Sequence, residues 1–117
     1  MILALASASA CGEQQPASEI VADKAIRLIY SGDVHATQAL FDADVRRTIT
    51  DDSVKQLSSL MHAFGDYLGV MQIAAMSDRR YDLEAQFAHG SMLVQLRLDP
   101  AGKLAALHIV PNVPRPR

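Results

Sequence analysis

The sequence predicts an α+β domain in which three N-terminal helices pack on a curved four-stranded antiparallel sheet. Three observations predict it. Apolar residues recur at helical spacing between Ser18 and Phe64, and the period drops to two after Leu68. The connections in the second half are too short to join any but antiparallel neighbours. A run of helices followed by a run of strands is the pattern of helices laid over one face of an antiparallel sheet.

The first helix rests on Val21, Ala25, Leu28 and Ile29, which fall at i, i+4, i+7 and i+8. Ser18 stands where a cap is expected, and Gly32 can take the left-handed position after the last turn. Asp33 caps a second, shorter helix with Ala36, Ala39 and Leu40 on its apolar side and Phe41 closing against the first helix. Thr50 opens a third helix, with Asp51 and Asp52 in its first turn, where carboxylates favour the helix dipole. Its apolar stripe is Val54, Leu57, Met61 and Phe64, and Gly65 ends it. Strands follow over about 70–76, 81–88, 91–98 and 103–110. They are joined by Ser77-Asp78-Arg79-Arg80, by His89-Gly90, and by Asp99-Pro100-Ala101-Gly102, a proline-second turn.

A two-residue turn at His89-Gly90 pairs Phe87 with Met92, Ala85 with Val94, Leu83 with Leu96 and Tyr81 with Leu98, all apolar. The other face then pairs Asp82 with Arg97 and Glu84 with Gln95. A one-residue slip would scramble both faces, so the agreement supports the register. Unbroken alternation carries the inner face on to Leu104, Ala106, His108 and Val110. Leu93, Leu107 and Ile109 then fall together on the outer face, either as scattered surface residues or as a partner surface.

Composition narrows the function. The chain has 117 residues, enough for one small domain, and a net charge of −2. Arg46-Arg47 and Arg79-Arg80 are isolated pairs without a basic stripe or an aromatic platform, so a nucleic-acid partner is not expected. No H-E-x-x-H or H-x-H spacing occurs among His35, His62, His89 and His108, so no metal site is predicted. Asp42-Ala43-Asp44 reads as a solvated helix end, and Ser58-Ser59 lacks a nucleophile elbow. No cofactor motif and no catalytic residue stands out. On the predicted inner face His108 is either a core histidine bonded to a backbone carbonyl or to Tyr30, or a group that orients a ligand. Tyr30, Phe41 and Tyr81 would share that space, as packing or as pocket.

The chain opens MILALASASAC, an apolar, small-residue run ending at its single cysteine. Ala8-Ser9-Ala10-Cys11 resembles the lipobox of bacterial lipoproteins. The resemblance implies a signal segment over 1–10, cleavage before Cys11, acyl chains on Cys11, and anchorage in the cell envelope. Residues 11–17 are then a polar linker, 18–111 the domain and 112–117 a disordered tail.

The order of elements is also familiar. Gly32-Asp33, the run Ala39-Leu40-Phe41-Asp42, a helix closing on Gly65, and Asp99-Pro100-Ala101-Gly102-Lys103 before the last strand resemble the bacterial domain of unknown function 3887. That group belongs to the nuclear-transport-factor-2-like, cystatin-like folds. The resemblance implies a sheet curled into a cone around the helices and a homodimer through the outer sheet face. It implies no catalytic residues. Three functions follow as expectations: a non-catalytic binding or accessory module with an unknown small-molecule or protein ligand, a small isomerase-like enzyme using the cone pocket through His108, or a structural dimerisation domain.

Overall fold

The computed structural model describes residues 15–112, and Cys11 and the predicted leader, most of the linker and the residues after Asn112 lie outside them. Among the described residues four helices precede four strands: α1 (Ala17–Ser31), α2 (Val34–Gln38), α3 (Ala43–Arg46), α4 (Asp51–Ala63), β1 (Tyr67–Met76), β2 (Arg80–Phe87), β3 (Gly90–Leu98) and β4 (Leu104–Pro111). The strands form one antiparallel meander in the order β1-β2-β3-β4. The α+β class is therefore as expected.

Helix α1 buries Ala22, Ala25, Ile26 and Ile29, a stripe one step round from the predicted one, leaving Val21 and Leu28 half-buried. The small alanines let the helix lie close to the sheet, and Ile26 and Ile29 fill the gap. Pro16, not Ser18, occupies the cap position and makes no side-chain cap. Gly32 takes the left-handed conformation after the last turn, at φ 78°. Asp33 caps α2 by accepting from Ala36 N. Asp42, read from sequence as a solvated helix end, instead starts the extra one-turn helix α3 by accepting from Val45 N. Thr50 and Ser53 cap α4 reciprocally, and Val54 and Met61 anchor its buried stripe.

These residues meet Leu83, Ala85 and Phe87 of β2, Met92, Val94, Leu96 and Leu98 of β3, and Leu104 of β4 in one core. Phe41 belongs to it as well, and its segment adds to the β4 edge through a parallel bridge. There Asp42 N donates to Leu104 O, and Leu104 N donates to Leu40 O.

Two registers differ from expectation. The β2–β3 turn is Ala88-His89, so Phe87 pairs with Gly90, Ala85 with Met92, Leu83 with Val94 and Tyr81 with Leu96. The slip is two residues, so each side chain keeps its face. Contacts from a distant segment decide it: Ala88 N donates to Asp66 O and His89 N to Phe64 O. Gly65, at φ 91°, permits the approach, since a Cβ there would lie 2.8 Å from His89 Cδ2 and 3.0 Å from Ala88 Cβ.

The second difference reverses most of β4. A bulge opposite Arg97 and Leu98 inserts Ala105, with Leu98 paired to Leu104 and Arg97 to Ala106. After it, Leu107 and Ile109 point inward and are half-buried, while Ala106, His108 and Val110 are exposed. Burying an aliphatic side chain is worth ~1.5–3 kcal/mol. An inward leucine and isoleucine therefore outweigh an inward alanine and histidine, and the extra residue in the strand is tolerated.

Candidate functional site

Pairing places the outer-face side chains in rows. Met71, Glu84, Leu93 and Val110 form one, and Ala74, Asp82, Gln95 and His108 the next. Met76, Arg80, Arg97 and Ala106 form the row beside the β1–β2 turn. Residues of the last two rows, among them Met76, Arg80, Asp82, Gln95, Arg97 and His108, line a cleft of about 460 Å³.

Its electrostatics are unusual for a surface that only has to be wet. Arg80 stands directly across from Arg97, a like-charge pair that destabilises a strand ladder. Among the described residues neither guanidinium lies within ion-pair distance of a carboxylate. In the next row, separated from His108 by Gln95, stands Asp82, whose Oδ1 is buried and has no hydrogen-bond partner among the described residues. An unpaired buried acceptor costs about 1–3 kcal/mol, and more when charged. The cleft is thus lined by two arginines without an ion-pair partner among the described residues and by Asp82, with Met76 and Ala106 as apolar wall.

The predicted pocket group is not assembled. His108 is exposed on the outer face and lines this cleft with Tyr81. Phe41 is 2 % exposed in the core on the other side of the sheet. Tyr30 sits at the end of α1, where its hydroxyl donates to Gly65 O at 3.2 Å and its ring lies 3.9 Å from that of His62. The partner face divides too. Leu93 is outward, whereas Leu107 and Ile109 line a second, apolar cleft of about 210 Å³ with Ile29, Phe41, Val54 and Leu57. β4 turned over at its bulge, and with it went both groupings.

The other candidates have structural occupations. Ser58 Oγ and His62 Nε2 both lie 2.9 Å from the Tyr30 carbonyl near the end of α1. A carbonyl only accepts, so His62 Nε2 is the donor there. His35 and His89 are exposed, and no cluster of metal-ligating side chains occurs among the described residues. Asp23, Arg27 and Tyr67 form a satisfied set. Tyr67 Oη donates to Asp23 Oδ1 at 2.7 Å, Arg27 Nε bonds Asp23 Oδ2 at 3.0 Å, and the Arg27 guanidinium lies 5.2 Å from the Tyr67 ring centre. Burial raises the Tyr67 pKa most, and the hydrogen bond to Asp23 and its charge add to this.

Sequence reading missed Arg80 as a site residue and paired Asp82 with Arg97, where the structure pairs Asp82 with Gln95 and Arg97 with Arg80. The signal lay in the adjacent residues Arg79-Arg80 before a strand, but only the two-residue slip reveals that Arg80 faces Arg97. No family model, curated protein or solved structure matches this chain.

Proposed function

We propose that this chain is a non-catalytic ligand-binding module of the bacterial cell envelope, anchored by lipid on Cys11, and that its site is the outer-face cleft. The lipobox-like Ala8-Ser9-Ala10-Cys11 after an apolar run supports the anchor. The order of helices and strands is compatible with the nuclear-transport-factor-2-like resemblance. One observation carries the site: Asp82, whose Oδ1 is buried and unpartnered, lines a cleft with two arginines that have no carboxylate partner among the described residues.

That arrangement defines a ligand chemistry. Arg80 and Arg97 call for an anion, which would also relieve their mutual repulsion. Asp82 calls for a hydrogen-bond donor close to that anion. Met76 and Ala106 offer apolar contact. A small organic carboxylate bearing a neighbouring hydroxyl or amino group meets all three. The experiment compares 3-phenyllactate with 3-phenylpropionate, which differ only by the hydroxyl, in calorimetric titrations. Phenyllactate is expected to bind, and phenylpropionate about tenfold or more weakly, because a site built around a donor rejects the analogue lacking it. Arg97→Gln is expected to abolish binding, and Asp82→Ala to make the two acids equivalent. Failure of both acids to bind, or equal binding to the native protein, would overturn the proposal.

A further inference from the structure

The four most exposed large apolar side chains among the described residues lie on two elements that touch. Leu68 is 66 % exposed, Ile73 57 %, Met71 56 % and Ile20 53 %. Three belong to the edge strand β1 and one to the first turn of α1. The two elements are tied together there: Gln72 N donates to Glu19 Oε2 at 2.8 Å, and Ser18 Oγ meets Gln72 Oε1. Ile20 is the chain neighbour of Glu19, and Met71 and Ile73 flank Gln72. Leu68 and Ile73 are the extra residues of the two β1 bulges. Bulges re-aim side chains and twist an edge away from pairing.

The edge is poorly suited to adding a strand from another molecule. The Gln72 N–H that such a strand would need is already taken by the Glu19 carboxylate. The bulges interrupt what remains. Side chains are offered here, and main-chain ladder groups are not.

What lies next to this patch is the start of the described chain. Cys11 precedes Ala17, the first residue of α1, by six residues. Six residues span at most about 20 Å. An acyl group on Cys11 therefore holds the start of α1 within that distance of a bilayer surface, on the side of the molecule where the apolar residues stand.

We infer that Ile20, Leu68, Met71 and Ile73 form a membrane-docking face that seats the domain on the bilayer interface beside its own anchor. The inference rests on the lipoprotein reading of Cys11. The outer-face cleft draws its lining from β2, β3 and β4, with only Met76 from β1. Seating the molecule on the β1 edge keeps that cleft in contact with solvent.

The chain has one cysteine and no tryptophan, so each can be used as a unique handle. The full chain is coupled through Cys11 to vesicles of phosphatidylethanolamine and phosphatidylglycerol carrying a small fraction of maleimide lipid. Single reporters are introduced as Ile73→Trp, Ile20→Trp and, on the opposite edge strand, Val110→Trp. On exchange for brominated lipids, the first two are expected to lose roughly half their emission, as for side chains at interfacial depth, and the third to keep its own. Equal quenching at all three positions, or none, would overturn the inference. So would vesicle-free self-association that Ile73→Asp abolishes, since a second copy would then be the occupant. Coupling in vitro separates this result from the anchor itself. Metabolic labelling with an alkyne fatty acid reads that independently, and failure to label Cys11 in cells would sink the lipoprotein reading whatever the quenching shows.

Discussion

Asp82 and Tyr67 show how the same polar chemistry takes two roles within one sheet. Tyr67 is half-buried and its hydroxyl has a carboxylate partner, Asp23, which Arg27 holds in place. Asp82 is half-buried and one of its oxygens has none. The first arrangement is complete without a ligand, and the second is not. Completeness makes Tyr67 a stability residue with a pH signature. Its folded-state pKa is raised, chiefly by burial and then by Asp23, above the ordinary 10.0. The neutral phenol is thus favoured in the folded state. Its contribution is present in full below the unfolded-state pKa and is lost as pH rises through the folded-state value. Tyr67→Phe removes that hydrogen bond and is expected to cost about 0.5–1.5 kcal/mol at neutral pH. Urea titrations of both proteins at neutral and strongly alkaline pH check the sign. The native protein should lose more stability than the variant once the unfolded tyrosine ionises, so the gap should narrow.

At the scale of elements, the hairpin and β4 separate what pattern can deliver from what it cannot. The α4 stripe, the Asp33 and Thr50 caps, and the inward set of β2 and β3 follow from spacing alone, because each is a local consequence of period and cap chemistry, whereas the α1 stripe lies one step round from its predicted place. The β2–β3 register does not, since carbonyls at Phe64 and Asp66 claim the turn's N–H groups from outside the hairpin. Nor does β4 follow from alternation. Leu104 and Leu107 are three apart, and both can face inward only if a residue is spent between them, which is Ala105. A reader comparing side-chain sizes could have seen that Leu107 and Ile109 have more to gain from burial than Ala106 and His108. The site was less legible, because Arg80 opposite Arg97 appears only after the slip. The reversal has a direct check. Leu107→Ala should lower stability by about 1–3 kcal/mol, less than the loss at a fully buried leucine. His108→Ala should stay within ~0.5 kcal/mol. Urea midpoints in the opposite order would restore the unbroken alternation.

Among the clefts of the described residues, two lie on opposite faces of one sheet, and β4 contributes to both. Leu107 and Ile109 reach the apolar cleft against the helices, while Ala106 and His108 reach the charged cleft outside. A ligand in the first would be chosen by shape and oiliness, and one in the second by charge and hydrogen bonding. The apolar cleft, of about 210 Å³, has no unpartnered buried side-chain polar atom pointing to a ligand among the described residues, whereas the outer one has Asp82 Oδ1. The inner space is therefore read as incomplete packing between α4 and β4. Leu57 is half-buried on its wall and can take a larger side chain that grows into it. Leu57→Phe is expected to raise stability by roughly 0.5–2 kcal/mol, as cavity filling commonly does. It should also leave phenyllactate binding unchanged, because the sheet stands between the substitution and Arg97. The measurement pairs a urea titration with a calorimetric one on the same variant. A Leu57→Phe protein that folds as well as the native chain but no longer binds the acid would move the site to the helix side of the sheet. Asp82 Oδ1 would then be an unsatisfied buried acceptor with no ligand to complete it.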